Sequence, residues 1–202
     1  MNFIKLFISA VIAIVALNAC GSNAGETATT HATDGNDAIG NIMTRTSVRA
    51  YQDRAIDKAT VDTLLRAAMA APTAMDKRPW HFVVVTDKQL LKQLLQPRLQ
   101  SAPLAIVVCG NSNKFIDGNG RDFWVQDVSA ATENLLLAAH ALGLGAVWTG
   151  AWPAAERSQH VAEVVKAPEN IIPLCVVAIG YPAETPTPKE KFDTANVTYE
   201  TF

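Results

Sequence analysis

The chain is poor in cysteine, in net charge and in every catalytic signature that spacing alone can reveal. Its 202 residues include three cysteines. None belongs to a CxxC pair, and neither a His/Cys ligand spacing nor HExxH occurs, so no metal site is expected. Lys and Arg number 17 against 19 Asp and Glu, a formal net charge of −2. Such a chain lacks the broad basic face that nucleic acid requires, and no nucleic-acid partner is expected. There is no GxSxG elbow and no Walker A loop. The four histidines, His31, His81, His140 and His160, have no nucleophile beside them and read as structural or surface residues. The glycines of "GLGAVWTG" (143–150) follow a helical pattern instead of joining a strand to a helix, which excludes a dinucleotide fingerprint.

The first twenty residues carry one lysine, Lys5, and then an apolar run over 6–17. The run is too short for a comfortable membrane span and has the form of a secretory signal. Leu17-Asn18-Ala19-Cys20 resembles the bacterial lipobox. That resemblance implies a signal peptide over 1–19, cleavage before Cys20 and lipidation there. The expected location is the cell envelope, lipid-anchored to a membrane and facing the periplasm. Residues 20–41 are rich in Gly, Ser, Thr, Ala, Asn and Asp without apolar periodicity, and are expected to form a flexible tether. A single domain is expected over 42–202; 49% hydrophobic residues supply one sizeable core.

Within it, "IDKATVDTLLRAAMAAP" predicts a helix with Asp57 as N-cap and Pro72 past its end. "HFVVVTD", "LAIVVCG" and "PLCVVAIGYP" predict buried strands, and "AVWTG" a strand or extended loop. "KQLLKQLLQ" after Asp87 predicts a short helix. "FWVQDVSAATENLLLAAHALG" predicts a helix of about five turns, ended by Gly143 and Gly145. It is apolar nearly all round after Asn134, which places it centrally or in a subunit interface. "PAAERSQHVAEVVKA" predicts a helix with Pro153 at its start. Cys109 and Cys175 fall in strands as small hydrophobes; free thiols are expected, with a disulfide as the alternative. The pattern favours an α+β domain, a sheet wrapped by helices.

The stretch "TRTSVRAYQDR" (44–54) sets Arg45, Thr46, Ser47 and Arg49 at the start of the domain. In extended chain, positions 45, 47 and 49 share a side. Two guanidiniums and a hydroxyl there suit a phosphate or a polarised ring edge, since arginine donates paired, charge-assisted hydrogen bonds. A second stretch, "AAPTAMDKRPWHFVVV" (70–85), joins helix to strand through a Pro-Thr-Ala turn.

Together these stretches resemble the flavin-dependent nitroreductase family, whose members open with an R-x-S-x-R-like segment and follow about thirty residues later with P-S-x-x-N-x-Q-P-W. "NLLLAAHALGLGAVWTGAW" and "IGYPAETPTPKEKFD" resemble the family's central helix with its Gly-rich loop, and its closing strand and basic tail. The resemblance implies an α+β homodimer around a mainly antiparallel or mixed sheet, with exchanged C-terminal tails and FMN at the interface. It implies that Arg45, Thr46, Ser47 and Arg49 hold FMN, and that Lys189 and Lys191 help neutralise its phosphate. Pro72, Thr73, Ala74 and Asp76 would reach the flavin bound mainly by the other subunit, and Thr149 and Gly150 would lie near the ring.

The implied activity is ping-pong electron transfer from NADH or NADPH to a nitroaromatic, quinone or similar small acceptor. It rests on the flavin and needs no dedicated catalytic side chain. Two positions depart from the pattern: Asp76 stands for Asn and Arg78 for Gln. An ionised Asp accepts but cannot donate, so Asp76 either pairs with Arg78 or Lys77 or raises the cost of the anionic reduced flavin. The alternative function is a non-catalytic flavin- or ligand-binding envelope lipoprotein.

Overall fold

The computed structural model describes residues 38–202. The expected signal peptide, Cys20 and most of the tether therefore lie outside the described residues.

Four strands make one sheet in the order β1-β2-β4-β3: β1 Trp80–Val85, β2 Leu104–Asn111, β3 Gly145–Gly150 and β4 Ile171–Gly180. Every ladder is antiparallel. The β-branched runs read as strands thus lie in the sheet, and "AVWTG" resolves to a strand. The helices are α1 Ala38–Thr44, α2 Lys58–Met69, α3 Lys88–Leu94, α4 Phe123–Ala141 and α5 Ala155–Val164. The domain begins earlier than expected, because α1 starts inside the segment read as tether. Pro153 lies just before the α5 cap residue Ala154 instead of inside the first turn.

The two central strands are buried along almost their whole length. Side chains alternate across a strand, so each strand feeds two cores. On one face Ile106, Val108, Val177 and Ile179 pack with Leu64 of α2 and Val128 and Leu135 of α4. On the other, Val107, Val176 and Ala178 pack with Leu91 and Leu94 of α3 and Val161 of α5. Cys109 belongs to the second face and Cys175 to the first. The sheet separates them, which accounts for two free thiols. Burial pushes both thiols up to about 12.

Local chemistry sets the helix ends. Asp57 accepts from the Thr60 amide at 2.8 Å and caps α2, while Asp87 accepts from Gln89 and Leu90 and caps α3. Gly143, at φ +71°, ends α4 in the left-handed conformation that glycine adopts without cost. The late turns of α4 are covered by α1: Asn41 donates to the Leu137 carbonyl at 3.0 Å, and Thr44 Oγ1 lies 2.9 Å from His140 Nε2.

Candidate functional site

The arginine segment runs beside β3. Ser47 forms an isolated parallel bridge to Ala146, and the Val48 amide donates to the Ala146 carbonyl at 3.1 Å. Gly145 permits this approach, since a Cβ there would stand 2.6 Å from Val48 Cβ. Val48 is buried between the half-buried Ser47 and the exposed Arg49, so strand alternation holds over 47–49. Arg45 directly follows α1, and its Nε lies 3.3 Å from Glu133 Oε1 of α4. The three expected groups therefore do not stand as one free row.

The next residues sew this segment to the start of the C-terminal tail. Glu184 Oε1 accepts from the amides of Arg49 at 2.7 Å and Ala50 at 3.3 Å. Ala183 N–H donates to the Ala50 carbonyl, and Gln52 N–H to Tyr181. The Arg54 guanidinium covers the Tyr181 ring at 3.6 Å. Tyr51 is buried and donates to the Val48 carbonyl at 2.6 Å; burial raises its pKa. Beyond this stitching the tail lies open, and Lys189 and Lys191 are exposed, as are Phe192, Tyr199 and Phe202.

β3 presents a free edge to the same segment. Ala146 turns its carbonyl away from β4 toward Val48. Backbone groups alternate in an antiparallel strand, so the N–H groups of Trp148 and Gly150 also face away from β4. No other strand pairs that edge among the described residues. Gly150 is exposed, with nothing within 4 Å of a Cβ placed there. Thr149 points its hydroxyl into the sheet, donating to the Val176 carbonyl at 2.8 Å. By the same alternation its backbone groups also face β4, so the outward amide beside it belongs to Trp148, which was not expected from the sequence.

The second stretch forms a tight loop over 73–78. Met75, Asp76 and Arg78 all adopt positive φ, at +53°, +52° and +47°. That region is costly for residues with a Cβ, and such clusters mark constrained functional segments. Three contacts hold the loop. The Ala74 amide donates to Asp127 Oδ1 at 2.8 Å, and the Arg78 amide to Thr73 Oγ1 at 3.1 Å. The Arg78 guanidinium grips Asp76 with two bonds, Nε to Oδ1 at 2.7 Å and Nη2 to Oδ2 at 2.5 Å. Of the two partners open to Asp76, the structure selects Arg78. The hydrogen bond from Arg78 holds the Asp76 carboxyl below its usual range, and Asp76 raises Arg78 in turn. Pro72 stays exposed.

Helix α4 carries the anchors of both groups, Glu133 for Arg45 and Asp127 for Ala74. They stand six positions apart, about 9 Å along the axis and about 120° around it. The loop leads into β1, at one edge of the sheet, while Gly150 ends β3, at the other. Three strand spacings, about 14 Å, divide the edges. Within one chain the two groups of predicted site residues therefore lie on different sides of α4. Consistent with that, a concavity of about 480 Å³ lined by Tyr51, Ile56, Lys88, Leu91 and Lys92 includes none of the predicted site residues.

Glu133 and Asp127 did not stand out in the sequence. Both break an apolar helix pattern, and Asp127 lies seven residues before Asn134, on the same face. Asn134 donates to the Ala67 carbonyl of α2. Polar residues at that spacing on a buried helix were the available signal.

Known proteins place this arrangement. The model of the nitroreductase family matches residues 42–97 and 90–181. A Methanothermobacter thermautotrophicus protein, provisionally named NADH dehydrogenase/NAD(P)H nitroreductase, is 44% identical over 163 residues, which cover 78% of this chain and 83% of that one. A Bacteroides thetaiotaomicron crystal structure with the same provisional name is 43% identical with a TM-score of 0.76, covering 83% of this chain and 99% of the other. An FMN-dependent nitroreductase from Clostridium difficile is 32% identical with a TM-score of 0.73, covering 81% and 99%. The sheet, the helices around it and the ordered motifs all agree: the chain belongs to the nitroreductase family.

Proposed function

We propose that this chain is an FMN-dependent oxidoreductase that passes electrons from NADH or NADPH to a small acceptor, a nitroaromatic or a quinone. One observation carries the reading. Along the free edge of β3, an arginine- and hydroxyl-bearing segment is bridged to one end, and outward amides stand at the other. Ala146 and Gly150 lie four residues apart, about 13 Å. An elongated mononucleotide with an anionic end and a polar ring suits that edge, so the residues fit FMN.

When bound, FMN would supply the two-electron chemistry between donor and acceptor. The chain's own groups bind and orient. Arg45, Ser47 and Arg49, with Thr46 between them, serve the phosphate end, whose charge is about −1.5 to −2. Lys189 and Lys191 add positive charge from the tail, which starts beside Arg49. The amides of Trp148 and Gly150 donate to the ring edge, where preorganised donors stabilise developing negative charge. Pro72, Thr73, Ala74 and Asp76 belong to the half-site that a second copy brings.

A homodimer is part of the proposal. Ile39, Ile42 and Met43 on α1 are 53–64% exposed, and the tail displays Phe192, Tyr199 and Phe202. Such exposed apolar groups are suited to cover by a second copy.

The test is direct. Purified protein incubated with FMN and desalted should keep a flavin absorbance band and consume NADH or NADPH when a nitroaromatic is added. Full flavin retention in an Arg45→Ala, Arg49→Ala double variant would sink the assigned roles. Flavin retained without turnover would favour the non-catalytic binding lipoprotein, the reading that the Asp76 and Arg78 departures support.

The location is proposed on the sequence of residues 1–20 alone: a lipid anchor at Cys20 in the cell envelope, facing the periplasm. NADH and NADPH are cytoplasmic, so the two proposals compete: either the lipobox reading is wrong and NADH or NADPH is the donor, or the chain is exported and a quinone-linked or protein carrier takes their place. Fractionation with the cytosol, with the first twenty residues retained, would overturn the lipid anchor.

A further inference from the structure

The Asp76–Arg78 pair has a role that the binding of FMN does not explain. We propose that it sets the charge selectivity for the acceptor: it offers a neutral, hydrogen-bond-donating edge that admits uncharged oxygen-bearing acceptors without drawing in anions. This rests on the flavin reading above, which brings Asp76 to the cofactor of the second copy.

The geometry supports it in three steps. First, the pair is not a drifting surface contact. Both partners sit in left-handed backbone within one short loop, and that loop is fixed by Asp127 at Ala74 and by the Thr73 hydroxyl at the Arg78 amide. Second, the bidentate grip consumes the Nε–H and one Nη2–H of Arg78. A guanidinium has five N–H donors, so three remain on the edge turned away from Asp76. Nitro and quinone oxygens are neutral acceptors suited to that edge. Third, one full negative and one full positive charge in contact cancel at a distance, so the pair adds hydrogen bonds without adding net charge. The pair is also not consumed by packing, with side chains 63% and 72% exposed in the protomer.

Breaking the pair should therefore unmask one charge or the other. Asp76→Asn leaves a bare guanidinium, and Arg78→Gln leaves a bare carboxylate. A unit charge near a bound ion at a protein surface changes its affinity by about tenfold.

The experiment uses the full-length, FMN-loaded protein, reduced with stoichiometric dithionite so that the nicotinamide donor drops out. Rapid mixing with 4-nitrobenzoate and with 4-nitrobenzamide gives two flavin reoxidation rate constants, and the readout is their anion-to-neutral ratio. Relative to the unaltered protein, Asp76→Asn should raise that ratio about tenfold and Arg78→Gln lower it about tenfold. The Asp76→Asn, Arg78→Gln double variant should return it to within about threefold. Added salt should shrink both single-variant shifts while barely moving the unaltered protein's ratio.

Parallel changes in the two acceptors, leaving the ratio unmoved in both single variants, would overturn the inference and leave the flavin reading standing. So would a strong salt dependence of the ratio in the unaltered protein, a measurement that needs no variant to fold. No bound flavin, or no reoxidation in the unaltered protein, would overturn the flavin reading and this inference together.

Discussion

Arg45 and Glu133 meet at 3.3 Å, with the arginine side chain 18% exposed and the glutamate 47% exposed. Glu133 thereby holds Arg45 beside the start of the bridged segment while offsetting part of its charge. A partly exposed pair of this kind contributes little to stability, about 1 kcal/mol or less, but its charge bears on any anion nearby. Glu133→Gln is expected to tighten FMN binding about two- to fivefold at low salt, with the gain fading as salt rises. Arg45→Ala should weaken it about tenfold or more. Flavin fluorescence titration at two ionic strengths reads both.

Two glycines of β3 predict opposite outcomes. Gly145→Ala forces a Cβ to 2.6 Å from Val48, an overpacking that costs about 1–3 kcal/mol and pushes the arginine segment off the strand. Both melting temperature and FMN affinity should fall. Gly150→Ala meets nothing within 4 Å in the protomer, so the melting temperature of the flavin-free protein should hold. If flavin lies against that end of the strand, affinity should still drop. Calorimetry of the flavin-free protein paired with titration separates the two variants.

Asp127 is a buried carboxylate that holds the Ala74 amide. Asp127→Ala orphans that amide and loses a charge-assisted bond, at about 1.5–3 kcal/mol. For a domain of this size the melting temperature should fall by about 3–10 °C. Asp127→Asn keeps an acceptor of nearly the same shape and should recover about half of the loss. Equal damage from both substitutions would show that the charge, and not the bond to Ala74, is what counts.

The pH dependence of stability has two limbs. Burial first, and then the charge of Arg45, depress His140 below its ordinary 6.5. The unfolded chain then binds the proton more readily, so this stability is full above pH 6.5 and is lost as pH falls. The thiols of Cys109 and Cys175 move the other way, from 9.0 to about 12. The folded chain keeps those protons longer, so their contribution is full below pH 9 and declines as pH rises toward 12. Melting curves across pH should show both limbs, and His140→Gln should flatten the acid one. A thiol reagent should reach neither cysteine until the protein unfolds.

Much of the fold was legible because periodicity reports burial. The β-branched runs at 81–85 and 104–109 and the capped helix after Asp57 needed only local rules. Alternation set positions 47 and 49 on one side, and the structure buries Val48 between them. The start of the domain was not legible, since "AIGNIMT" has little periodicity and becomes helical by docking on α4 through Asn41 and Thr44. The candidate site was legible as residue types and not as partners. Residue types marked Arg45 and Arg49, but their partners Glu133 and Glu184 lie 88 and 135 positions away, counting 133 − 45 and 184 − 49. Pairings at that range arise from topology. The inward turn of Thr149 and the outward amide of Trp148 depend on which strand edge is free, and composition carries no trace of that.

Because Asp127 holds the Ala74 amide and Glu133 pairs with Arg45 from one helix, their separation acts as a phase key. A single residue inserted between them would swing Glu133 by about 100° around α4 and carry it away from Arg45, with the apolar composition of the helix untouched. Four inserted residues would nearly restore the angle but lengthen the gap by about 6 Å. Within 128–132, Val128, Ala131 and Thr132 are buried and only Ser129 and Ala130 are part-exposed, so changes of side chain should be tolerated at those two positions and changes of length nowhere in the segment.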